Sequence, residues 1–85
     1  MPRISEFYGL LILMNFKDHN PPHFHVWYGD YKATVSITTG IVAGEMPQRA
    51  LKLVFDWLEI HRNELLDQWN NAQNGKPIGK IDPLI

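Results

Sequence analysis

The chain contains no cysteine. Disulfides and thiolate metal sites are therefore excluded. It also lacks a long apolar run. The richest segment, FYGLLILMNF (residues 7–16), spans ten residues and is too short to cross a bilayer. As a secretory leader it is poorly framed. Glu6 interrupts its approach, and Lys17, Asp18 and His19 follow it where a small-residue cleavage site would stand. The segment reads as a buried strand, no membrane association is expected, and a cytoplasmic location is.

Charge of one sign is missing too. Eight Lys/Arg face nine Asp/Glu, for a net charge of −1. Met1 to Glu45 carries three basic residues against four acidic ones, and the remainder five against five. Neither half is a basic block. Strong non-specific DNA binding is therefore not expected, although a small local patch remains open. There is no internal repeat, low-complexity tract or linker, so the chain is one domain over residues 1–85. A chain this short buries only about 60–65% of the surface its unfolded form exposes, which leaves stability marginal. The 45% apolar content still supports one compact core and argues against disorder.

The remaining patterns give a fold class. Residues 7–16 show no alternation, as a central strand would. KDHNPP (residues 17–22) must then be a loop, because two prolines cannot continue a ladder. HFHVWY-GD-YKATVSI (residues 23–37) reads as a hairpin with Gly29-Asp30 as its turn. Counting outward from that turn pairs Tyr28 with Tyr31, Trp27 with Lys32, Val26 with Ala33, His25 with Thr34, Phe24 with Val35 and His23 with Ser36. Phe24, Val26, Tyr28, Tyr31, Ala33, Val35 and Ile37 then share the core face. His23, His25, Trp27, Lys32, Thr34 and Ser36 share the open one. A short strand follows at Ile41 to Ala43.

From Pro47 to Asn74 the apolar residues step by one, three or four, the stripe of an amphipathic helix. Asn74-Gly75-Lys76-Pro77 stops it. One rod of this length would run roughly 42 Å at about 1.5 Å per residue. A bend near His61-Arg62-Asn63 is the alternative. The tail docks through Ile78, Ile81 and Leu84. The fold class is α+β: an antiparallel sheet of three to four strands, followed by one long or two shorter C-terminal helices packed on one face.

Chemistry concentrates in KDHNPPHFHVWYGDY (residues 17–31), which holds three of the four histidines. His23 and His25 leave one strand face about 6.5–7 Å apart along the chain. His19 can reach the same region across the proline loop, with Asp18 beside it. Three imidazoles suit zinc, but no HExxH-like spacing is present. The same face suits metal-free work, with a histidine as general base, Lys32 holding a phosphate and Trp27 stacking on a base. A solvated face or partner surface fits the same residues. His61 lies in the helix stripe and reads as a core histidine bonded to a carbonyl. Trp57 and Trp69 read as anchors of helix to sheet. Arg49 and Lys52, whose charges oppose the helix dipole, are candidates for anion or partner contact.

ISEFYG, DHNPPHFHVWYGDYKA and PQRALKLVFDWLEIHRNELLDQWNNAQNGKPIGKIDPL together resemble the small bacterial proteins called domain of unknown function 4160. The likeness covers nearly the whole chain. Its distinctive positions are His19, Pro21, Pro22, His23, Phe24, His25, Tyr28 and Trp57, with Arg49 and His61 less so. The resemblance implies no activity. It implies a gene placed beside that of another small protein, in the manner of toxin–antitoxin modules.

The leading expectation is thus a partner-binding module, one component of a two-gene pair, binding through His19, His23, His25, Trp27, Lys32 and Arg49. The partner is a protein or a second copy, and RNA contact stays open. The alternatives are a histidine-dependent hydrolase or ribonuclease, with or without zinc, and a regulatory domain without chemistry. Catalytic candidates are His19, His23, His25 and Lys32. No metal and no cofactor is assigned.

Overall fold

Gly29 takes φ 57° and closes a two-residue turn between β3 (His23–Tyr28) and β4 (Tyr31–Ser36). The computed structural model describes all 85 residues and pairs this hairpin in the expected register, from Tyr28 opposite Tyr31 to His23 opposite Ser36. The two faces separate as period two requires. Phe24, Val26, Ala33, Val35 and Ile37 are buried, while His25, Trp27 and Thr34 are half-buried and Lys32 is exposed.

The N-terminal run departs from the single strand read over Phe7 to Phe16. It is a second hairpin, made of β1 (Arg3–Phe7) and β2 (Leu10–Leu13). Tyr8 and Gly9 both take positive φ, 49° and 80°, the conformation of a primed two-residue turn. No polar residue marks the reversal, because β2 is inner and apolar on both sides. Leu10, Ile12 and Met14 join the core, while Leu11 and Leu13 lie opposite Trp27 and His25 of β3. With β5 (Val42–Gly44) the sheet has five antiparallel strands in the order β1-β2-β3-β4-β5, the additional one coming from this hairpin.

The helix α1 (Gln48–Gln73) starts after Pro47, which needs no N–H partner there, and ends at Asn74, with Gly75 beyond at φ 69°. It is one helix with a kink. His61 sits at φ −113° and ψ 16°, at the place where a bend was expected. Straight, its 26 residues would reach about 39 Å, more than the molecule's longest dimension of 33 Å. Val54, Trp57, Leu58, Leu65, Trp69 and Ala72 face inward against one side of the sheet.

Trp57 is fully buried, with ring centroids 5.3 Å from Phe7 and 5.7 Å from Phe24. Its indole N–H donates to the Asp82 carbonyl at 2.8 Å, which draws the tail back over the core. Ile81 is buried there, and its N–H donates to Ile4 O at 2.8 Å, so the tail covers part of the β1 edge. His61 packs on Trp57 at 5.6 Å, but its partner is the Glu64 carboxylate at 2.7 Å and not a carbonyl. No helix is long and apolar enough to cross a membrane.

Candidate functional site

Period two along β3 sends the His23 and His25 side chains out of the sheet face opposite the core. Their ring centroids are 5.4 Å apart. The loop before β3, which contains a cis Asn20–Pro21 bond, folds back so that Asp18 meets both rings. Asp18 Oδ2 lies 3.1 Å from His23 Nε2 and 3.5 Å from His25 Nε2. Its other oxygen, Oδ1, accepts the His19 backbone N–H at 2.8 Å and lies 2.9 Å from His19 Nδ1. One carboxylate therefore faces three imidazoles.

Each member is held from behind. His23 Nδ1–H donates to Pro21 O at 2.8 Å, which fixes the ring's tautomer and tilt. Trp69 lies 5.2 Å beneath His23, so its role is wider than an anchor, since it also floors the site. The loop is tied to the end of α1, with Lys17 N–H donating to Ala72 O at 3.1 Å and the Gln73 amide donating to Asp18 O at 2.7 Å. The Asp18 and His23 side chains are only 15% and 10% exposed, whereas His19 is 83% exposed and stands at the rim.

Burial of Asp18 raises its pKa. The His19 amide, the His25 side chain, the charge of a protonated His23 and the Asn15 amide lower it by more, so the carboxyl sits below the ordinary aspartate value. It is ionised at neutral pH.

These groups line a groove of about 580 Å³, walled by Thr34 and Ser36 of β4 and by Ile41 and Ala43 around β5. A second hollow adjoins it across His25 and is lined by Trp27 and Lys32, with the Lys32 ammonium 4.8 Å over the Trp27 ring. A larger hollow beside Tyr28 and Tyr31, at the turn end of the hairpin, holds no such cluster.

The sequence candidates thus divide. His19, His23 and His25 come together, Trp27 and Lys32 lie next to them, and Arg49 does not join. It lines a separate groove at the start of α1 with Leu51, Lys52 and Phe55. The residue on which the site turns, Asp18, was named only as a neighbour of His19. Its signal was its place five residues before His23 in a proline-bent loop. Asp18, His23 and His25 each present a ligand atom, all within 4.8 Å of one another, and so could hold a metal.

A family described as Domain of unknown function (DUF4160) matches residues 9–70. No curated protein and no solved structure matches the chain.

Proposed function

This chain belongs to the DUF4160 family, and from that premise and the site's geometry we propose that it is a small hydrolase of phosphodiesters, with RNA as the substrate class. The observation that carries this reading is the single Asp18 carboxylate shared by three imidazoles in a groove. A partner-binding face needs only a flat patch. Converging titratable groups in a concavity are what acid–base chemistry requires.

Asp18 and the two inner histidines position a water molecule. His19, at the rim beside Asp18 Oδ1, takes the proton as the water oxygen attacks phosphorus. The P–O bond to the leaving alkoxide breaks, and that oxygen is protonated from solvent. The Thr34 and Ser36 hydroxyls and Lys32 hold the phosphate oxygens, and Trp27 lies within reach of a base.

The test uses bis(4-nitrophenyl) phosphate and a single-stranded RNA oligonucleotide. Cleavage by the parent should fall by about 10²–10⁴-fold in His19→Ala, a loss of the size of one general base. His19 is exposed, so this variant should melt like the parent. No cleavage of either ester above the buffer rate would overturn the reading.

A second reading, as one half of a protein pair, is supported by the outer face of α1. There Phe55 is 38% exposed in a groove with Leu51, flanked by Arg49 and Lys52. Light scattering should give a mass above that of one chain, and Phe55→Ser should return it to monomer. A monomer mass for the parent at every accessible concentration would remove self-association.

A further inference from the structure

Taking the same groove as the working site, we propose that Asp18, His23 and His25 hold one divalent first-row metal ion, zinc, through Asp18 Oδ2 and the two Nε2 atoms. The sequence assigned no metal here, because HxH alone lacks a third ligand. The fold supplies it from the loop.

The first argument is about protons. The Pro21 carbonyl can only accept, so the His23 Nδ1 that meets it at 2.8 Å carries the hydrogen. The neutral ring then points the bare lone pair of Nε2 at a carboxylate oxygen 3.1 Å away. Two acceptors hold that separation only with positive charge between or beside them. A second ring proton would satisfy His23 alone. A metal ion satisfies His23, His25 and Asp18 together.

The second argument is about shape. Zinc bonds of about 2.0–2.1 Å at tetrahedral angles place ligand atoms about 3.3 Å apart. Asp18 Oδ2 lies 3.1 Å from one Nε2 and 3.5 Å from the other, either side of that edge.

The third is support from behind the ligands. A carbonyl behind a ligating imidazole and an amide behind a ligating carboxylate are how proteins orient metal ligands, and here they are Pro21 O and His19 N. The fourth position opens to the groove, where a water or a phosphate oxygen binds. Two nitrogens and one oxygen suit zinc, whereas magnesium prefers an all-oxygen shell with several waters.

Zinc chloride titrated calorimetrically into chelator-treated protein at pH 7.5 should bind at one ion per chain with Kd below about 1 µM. His25→Gln and His23→Ala should each weaken this by at least about 100-fold. Cobalt(II) should give intense tetrahedral ligand-field bands in the parent and not in the variants. His25 is half-buried, so His25→Gln serves even if His23→Ala fails to fold. His19→Ala should keep zinc affinity within about tenfold while losing ester cleavage, because His19 is outside the ligand set.

Affinity of only tens of micromolar, affinity unchanged in His25→Gln, or magnesium bound more tightly than zinc would overturn the metal site. Zinc binding without cleavage leaves the metal site standing and removes the hydrolase. Cleavage that survives chelation does the reverse.

Discussion

Replacing Trp57 with alanine is expected to remove about 3–5 kcal/mol of folding stability, the range for deleting a fully buried aromatic. Trp57 is 0% exposed and sits at the centre of the core, against Phe7 of β1, Phe24 of β3 and His61 of its own helix. The loss has two parts. The ring's burial and close contacts disappear, and the Asp82 carbonyl loses the indole donor that holds the tail in place. At about 0.05–0.15 kcal/mol per residue, a domain of this size has roughly 4–13 kcal/mol in total, so the substitution takes a large share. A urea midpoint lowered by more than about 1.5 M would agree, at the slopes usual for small domains. A midpoint equal to the parent's would mean that Trp57 does not occupy the core.

The second large effect is expected at Gly44. Its φ of 107° is a backbone conformation that L residues rarely adopt, and an added Cβ would lie 2.5 Å from Lys32 O and 2.9 Å from Ala33 Cα. Both are backbone atoms of β4, so no side chain can swing aside. The conformation alone costs about 1–3 kcal/mol for a residue with a Cβ, and the collision adds to it. Gly44→Ala should therefore peel β5 from β4, lowering the melting temperature and abolishing slow amide exchange at the Ala33–Gly44 and Val35–Val42 pairs. Because Ile41 and Ala43 wall the groove, the site should lose definition on that side. Parent-like melting together with parent-like exchange at this edge would show that β5 tolerates the Cβ.

The hairpin from His23 to Ser36 was legible because two independent signals agree there. A turn dipeptide fixes the register, and alternation fixes the faces. The helix was legible for the same reason, with Pro47, Asn74-Gly75 and an apolar stripe naming the same limits. The reversal at Tyr8-Gly9 was not, since a tyrosine at positive φ carries no composition signal and the residues on both sides are apolar. The site was half legible. Period two placed His23 and His25 on one face, which local geometry guarantees. Asp18, Pro21 O and Trp69 reach them through the path of a loop and the docking of a distant helix, and neither is written in local spacing. Arg49 was singled out by a charge opposed to the helix dipole. That pattern reports an unfavourable local field and does not say which groove the side chain borders.

The tie between Gln73 and the Asp18 carbonyl spans 55 positions along the chain. The sheet, by contrast, is a meander in which each strand pairs only with its sequence neighbours. Neighbour pairing closes short loops at small entropic cost, while the contact to the end of α1 closes nearly the whole chain. The order of assembly follows. The β3–β4 hairpin, with its two histidines, can form early and alone, but the Asp18 loop takes its final path only when the last turn of the helix arrives. A chain still emerging from synthesis therefore carries the histidines without the carboxylate that organises them, and the site becomes complete only with the end of the helix.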